Sequence, residues 1–379
     1  MKIHLYTKLF VALLISGMGF YFYTTTQAKD HKINSVYVIP TGDKLDQINF
    51  EEKKIDIAFL AFAQIGDKYK VSFHKDEAAD AEIKENIKKL KKNNPKTSLV
   101  LAVGGYGADG FSDASLQENR RTFTDNIIAL VKELGLDGVD IDWEYPASDA
   151  WGTQKSRSED TQNFTFLMKE LREKLNQLPH KNKKYILTFA SGTQDWYFKN
   201  VEVKKVEKYV DYINVMSYDL TGKWSDTTGL NSNLYKDAEN KSIDSVDSIV
   251  KLYLSHQVDP AKLLLGVPAY SYGWEDVKSD GDGSFSPGKP IDIDKTDLSY
   301  KTIEEKYMDK NGFKRYFDEK AKAAYLYDGE TFISYEDKEA LREKIAYIKA
   351  NNLGGAMVWE YSQDADDGLV KYLGDHLNE

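Results

Sequence analysis

Four carboxylates fall within eight residues of one stretch, Leu136-Asp-Gly-Val-Asp-Ile-Asp-Trp-Glu-Tyr-Pro146. In an extended chain side chains alternate faces, so Asp140, Asp142 and Glu144 share one face and Val139, Ile141 and Trp143 the other. Neighbouring carboxylates would stand about 7 Å apart on that face. Like charges so placed cannot all ionise cheaply away from water, so one pKa is expected to rise and leave a proton donor at neutral pH. Glu144, at the C-terminal end of the run, is the candidate general acid, because that is the end of a barrel strand where chemistry is placed. Asp137 has the opposite parity and is expected to make structural hydrogen bonds at the strand entrance. The ligand spacing of a calcium loop, with its distal Glu, is missing. An oxygen-ligated divalent cation stays open as an alternative, but no metal is expected.

The elements that must position this stretch show in the hydrophobic pattern. Candidate strands are Ile33 to Ile39, Ile55 to Ile65, Ser98 to Gly104, Gly138 to Glu144, Tyr185 to Ser191, Val210 to Tyr218, Leu263 to Tyr270 and Gly355 to Tyr361. Between them, apolar residues recur at helical spacing, as in Phe123, Ile127, Val131, Leu134 and in Phe164, Leu167, Leu171, Leu175, Leu178. Eight strands, each leading to a helix, predict an α/β fold, a parallel (β/α)8 barrel. The long interval before the last strand departs from this rhythm. Its strand-like alternation around Asp328-Gly329, a hairpin signal, predicts a small α+β insertion over 271–335, followed by a helix over Glu339 to Asn351.

Composition narrows the partners. Among 379 residues, 51 Lys and Arg against 61 Asp and Glu give a net charge of −10, which argues against nucleic acid or anionic lipid as the main ligand. The absence of Cys removes disulfides, thiolate metal sites and Cys nucleophiles, and no two His stand at a metal-binding helical spacing. No cofactor is expected, and the chain is expected to be a monomer. The 25 Tyr and 6 Trp suit either stacking on sugars or filling a core. At the N-terminus, Lys2 and Lys8 precede an apolar run from Leu9 to Tyr23 and the small residues of Thr26-Gln27-Ala28, the layout of a signal peptide over 1–28. The expectation is a secreted protein of bacterial type cut after Ala28, with a catalytic barrel over 29–379; an uncleaved membrane anchor is the alternative.

Asp137-Gly-Val-Asp140-Ile-Asp142-Trp-Glu144-Tyr-Pro resembles the Asp-x-x-Asp-x-Asp-x-Glu signature of glycoside hydrolase family 18, the chitinases and their relatives. Met216-Ser-Tyr218-Asp219, Gly266-Val-Pro-Ala-Tyr270 and Gly354-Gly-Ala-Met357-Val-Trp359 are similar to the family's sixth-, seventh- and eighth-strand motifs. The resemblance implies a chitinase that hydrolyses β-1,4-linked N-acetylglucosamine polymers with retention, the substrate's own acetamido group forming an oxazolinium intermediate. It implies Glu144 as acid, Asp142 as partner of the acetamido N–H, Asp140 as its support, and Tyr218 as donor to the acetamido oxygen. Trp359 becomes the floor under the reacting sugar, and Met216, Asp219, Gly105, Tyr106, Trp224 and Tyr145 become substrate contacts. The implied partner is chitin or its oligosaccharides. Two other outcomes stay open, an endo-β-N-acetylglucosaminidase acting on N-glycans and a non-hydrolytic chitin-binding lectin.

The sequence also departs from that pattern. Ala102 stands where the third-strand motif carries Ser, Val36 matches the position of a first-strand Tyr, and Ser271-Tyr-Gly-Trp replaces a segment that commonly holds Arg. With two hydroxyl donors missing, the Asp140/Asp142 pair is expected to titrate high. Trp151, Trp196 and Trp274 are expected on loops at the catalytic mouth, either stacking on sugar or packing beneath the loops.

Overall fold

The computed structural model describes residues 31–41, 45, 48–149, 152–179, 184–236 and 244–379. The expected signal segment and Trp151 lie outside them. Eight parallel strands close into a barrel: β1 (Ile33–Val38), β2 (Ile57–Ile65), β3 (Ser98–Gly104), β4 (Gly138–Asp142), β5 (Ile186–Ser191), β6 (Tyr212–Val215), β7 (Leu263–Pro268) and β8 (Gly355–Trp359). β1 pairs with both β2 and β8, so the sheet has no free edge where it closes. Every one of the eight predicted runs contains one of these strands. The predicted runs extend up to three residues too far at their C-terminal ends, because there the backbone leaves the ladder for the loops of the mouth.

Alternation sorts the strand residues into two cores. Val36, Val38, Leu101, Val139, Ile141 and Val358 face the helices; Tyr37, Phe59, Ala61, Ala102, Leu264 and Met357 fill the lumen. The helix Gln117–Leu134 buries Phe123, Ile127, Val131 and Leu134 and stops at Gly135, whose φ of 63° suits glycine. The helix Asp160–Asn176 buries Phe164, Leu167, Leu171 and Leu175 in the same way. Trp143 belongs to the outer layer as expected, stacked on Phe111 at 5.3 Å. Asp137 accepts from the Leu99 N–H and the Lys91 Nζ, both at 2.9 Å, which joins the entrance of β4 to β3.

Between β7 and β8 the chain forms an antiparallel five-stranded sheet, in the order Lys289–Pro290, Tyr272–Glu275, Phe332–Tyr335, Ala323–Tyr327, Lys314–Asp318. The Asp328-Gly329 signal lies at a real turn. Asp328 Oδ1 accepts from the N–H groups of Glu330 and Thr331. Trp274, expected on a mouth loop, is instead fully buried in this sheet's core, with its Nε1–H donating to the Ser225 carbonyl at 2.8 Å. The helix Lys338–Ala350 then leads back to β8.

Candidate active site

β4 delivers Asp140 and Asp142 into the lumen, and Glu144 lies two residues beyond its last ladder pair, Gly104 with Asp142. The site needs the two glycines that end β3. Gly104 and Gly105 have φ of 115° and 95°, and a Cβ on Gly104 would stand 2.1 Å from the Asp142 carbonyl oxygen. Side chains at these positions would push β3 away from the carboxylates, and the Gly105 N–H would lose its 2.9 Å bond to that same carbonyl.

Asp140 is completely buried, yet both its oxygens are satisfied. Tyr37 Oη donates to Oδ2 at 2.8 Å, and Thr188 Oγ1 and Asn214 Nδ2 donate to Oδ1 at 2.6 and 3.2 Å. The expected loss of the tyrosine donor is therefore overturned, while Ala102 lies in the lumen with no hydroxyl to offer, as read from the sequence. The first-strand tyrosine is present as Tyr37, one residue from Val36, and a one-residue slip on a strand exchanges lumen for helix layer. Burial pushes the Asp140 carboxyl up to about 6, and the three donors oppose that rise by favouring its charged form.

Asp142 is held well above the usual carboxylate range, by burial and then by the charges of Glu144 and Asp140. Glu144 is pushed up to about 7, first by burial; Asp219 adds to the rise, while hydrogen bonds from Tyr145 and Asp142 oppose it. Asp142 and Glu144 are hydrogen-bonded to each other, so they titrate as one unit that keeps a proton near neutrality. Asp142 Oδ1 is buried with no partner among the described residues. Burial thus pushes up all three carboxyls of the lumen, with donors on Asp140 that favour its charged form and a mutually hydrogen-bonded Asp142–Glu144 pair at the mouth.

The pair opens into a cleft of about 690 Å³ at the C-terminal ends of the strands. Glu144, Asp142, Tyr218, Trp359, Met216, Asp219, Gly105 and Tyr106 all line it. Trp359 is half-buried at the end of β8, stacked on Phe62 at 5.5 Å and 19° and tilted against Tyr37, and with Phe62 it lines the cleft. Asp219 has a φ of 58° and is fixed by its N–H bond to Asn231 Oδ1. Its carboxylate is open to the cleft and accepts from the hydroxyls of Tyr270 and Tyr272; enclosure by the cleft walls still raises its pKa.

Two expected contacts stand elsewhere. Trp224 lies outside the lining, on the rim, with its ring edge-on to Tyr272 at 5.7 Å. Tyr145 packs against Trp196 and Tyr197 behind the acid and holds Glu144 by its hydroxyl, a contact to the acid rather than to the cleft. Trp196 belongs to this packing cluster. Residues that sequence reasoning missed are Tyr37, Thr188, Phe62 and Tyr272. The first two carried a signal, since each is in phase with lumen-facing neighbours on its strand.

The profile of Glycosyl hydrolases family 18 matches residues 18–364. Chitinase A1 of Niallia circulans is 36% identical over 303 residues, covering 76% of this chain and 43% of its own length. Chitotriosidase-1 of Mus musculus is 31% identical over 329 residues, covering 80% of this chain and 68% of its own. Among solved structures, chitinase ChiW from Paenibacillus sp. superposes with a TM-score of 0.81 at 37% identity, over 92% of this chain and 43% of that one. A family 18 N-acetylglucosaminidase from Paenibacillus barengoltzii gives 0.81 at 32% identity, over 92% of this chain and all of that one. The chain thus spans less than half the length of two of these relatives.

Proposed function

From a chain that belongs to Glycosyl hydrolases family 18, we propose an endo-acting chitinase, secreted, that hydrolyses β-1,4-linked N-acetylglucosamine polymers with retention of configuration. The observation that carries the reading is the proton-sharing Asp142–Glu144 pair opening into a cleft lined by Trp359. A lectin built on this barrel would need the aromatic lining but not a carboxyl poised to give up a proton near pH 7.

In the proposed reaction the sugar above Trp359 presents its acetamido N–H to Asp142 and its acetamido oxygen to the anomeric carbon, with the Tyr218 hydroxyl holding that oxygen. The pair's proton then resides on Glu144. Glu144 gives it to the glycosidic oxygen as the C–O bond breaks, and the acetamido oxygen closes on the anomeric carbon to form the oxazolinium ion. Asp142, now anionic and supported by charged Asp140, offsets the positive charge. Water attacks the anomeric carbon from the vacated side and returns a proton to Glu144, which restores the acetamido group and the original configuration.

The test is product analysis on the N-acetylglucosamine hexamer beside a glycoprotein carrying N-glycans. Internal cleavage of the hexamer to dimers, trimers and tetramers is expected, with the β-anomer formed first. Release of intact N-glycans without hexamer cleavage would move the activity to the glycan-releasing alternative; monomer alone would make it a terminal hydrolase.

A pH prediction follows from Asp140. The reaction needs this carboxyl charged, so kcat/KM should fall as pH drops through about 6. Tyr37→Phe removes a donor that favours the charged form, so the Asp140 pKa should rise and the acid limb should move to higher pH by about half a unit or more. A limb that coincides with wild type would show that Tyr37 does not set this titration.

A further inference from the structure

Tyr218 and Asp219 lie beyond the last strand pair that β6 makes with either neighbour, so no ladder holds their backbone. Side chains take over. Ser217 Oγ accepts from the Gly266 N–H at 2.9 Å and donates to the Gly266 carbonyl at 3.0 Å, which replaces a ladder pair with β7. On its other side the segment lies against Asn231-Ser232. Asn231 Oδ1 accepts from the Asp219 N–H, the Asn231 carbonyl accepts from the Leu220 N–H, and Ser232 Oγ donates to the Ser217 carbonyl at 2.8 Å. This strut is in turn tied to the inserted sheet, where Ser334 Oγ accepts from the Asn231 N–H at 2.8 Å.

Behind the strut stands a buried charge with no part in the proposed reaction. Lys344, on the helix Lys338–Ala350, is 0% exposed; its ion-pair partner Glu336, one residue past the strand Phe332–Tyr335, is 3% exposed. Lys344 Nζ also donates to Ser232 Oγ at 2.8 Å. A buried ion pair gains little stability over an apolar pair of the same volume, because both ions lose their hydration. What an apolar pair cannot do is orient a hydroxyl. An ammonium only donates, so it occupies a lone pair of Ser232 and leaves that residue's single proton for the Ser217 carbonyl, and a hydroxyl polarised in this way donates more strongly. The Ser217 carbonyl belongs to the planar peptide unit that carries Tyr218, so its direction sets where the tyrosine leaves the backbone. The ring has little room to readjust, since a Cβ on Gly266 would stand 2.9 Å from Tyr218 Cε1.

We propose that Lys344, with Glu336 as its counter-ion, is a positioning residue for hydrolysis: acting through Ser232, it fixes the peptide between Ser217 and Tyr218 and so aims the Tyr218 hydroxyl at the substrate's acetamido oxygen. This rests on the chitinase reading, which gives Tyr218 that role. It also gives the inserted sheet a part in the chemistry, because Ser334 and Glu336 hold the strut from that side.

The test is a double-mutant cycle on the N-acetylglucosamine hexamer. Ser232→Ala removes the link and keeps the ion pair; kcat should fall about tenfold with KM within about twofold and the thermal midpoint little changed. In a Tyr218→Phe background, where the hydroxyl being aimed is gone, Ser232→Ala should cost less than about twofold, because residues that act through one another are not additive. Lys344→Met/Glu336→Met, which strands no charge, should reproduce the kcat loss of Ser232→Ala while circular dichroism shows it folded; if it does not fold, Ser232→Ala and the cycle decide. Wild-type kcat in Ser232→Ala or in the folded double variant overturns the proposal, and so does an equal loss with and without the Tyr218 hydroxyl. A wild type that leaves the hexamer intact removes the chitinase reading and this role with it, whereas normal cutting with an additive cycle removes the positioning role alone.

Discussion

Glu144→Gln should reduce kcat by at least 10²-fold on natural oligosaccharides while leaving KM within a few fold and the fold unchanged. The substitution keeps size and shape but removes the proton, and proton donation to a poor leaving group is worth about 10²–10⁴ in rate. A loss of that size corresponds to roughly 3 kcal/mol or more of barrel-bound transition-state stabilisation. Glu144 lies beyond the last pair of β4, so no ladder bond depends on it. Steady-state kinetics on the hexamer, with circular dichroism as the control for folding, measure the effect. Retention of more than a tenth of the wild-type rate would remove Glu144 from the acid role. The deficit should shrink when the leaving group is a dinitrophenolate, which departs without needing a proton.

Asp142→Asn should also cost about 10²–10³ in kcat, the scale seen when one preorganised electrostatic partner of a developing charge is removed. The cause differs, and so does the signature. Asp142 faces the positive charge on the acetamido group, which forms whatever the leaving group is. Its deficit should therefore persist with the dinitrophenyl substrate, where that of Glu144→Gln declines. Equal rescue of both variants would mean that Asp142 acts only through the proton of Glu144, and the charge-offset role would be wrong.

The parts of the site that follow strand parity were legible in the sequence. Asp140 and Asp142 alternate with Val139 and Ile141, and that alternation alone places them in the lumen. Trp359, the last residue of β8, and Tyr218, three residues past the end of β6, were singled out through the resemblance of their motifs, and both line the cleft. Val36 was the misreading. Motif matching aligned it with a tyrosine, whereas alternation on β1 puts Val36 and Val38 outside and Ser35 and Tyr37 inside. Thr188 was open to the same argument on β5. The contact between Tyr272 and Asp219 was not legible, because it joins loops after different strands and depends on how the inserted sheet sits. Trp274 illustrates the same limit. Its place in the chain suggested a loop, but the pairing of Tyr272–Glu275 with Phe332–Tyr335 buries it.

The seam between β1 and β8 ties the site to closure of the barrel. Ser35 Oγ bonds the Ala356 carbonyl across 321 positions of chain, and closing a loop of that length costs about 5 kcal/mol of entropy on the logarithmic scale. That cost is met only when strands from the two extremes of the barrel meet. Tyr37 enters on one side of the seam and Trp359 on the other, packed ring against ring at 5.4 Å. A chain with most of its helical layer in place but the seam open has Asp140 without its tyrosine donor and a sugar platform without its backing. Catalytic competence is therefore a property of the closed circle, because the site is complete only when residues from β1 and β8 meet.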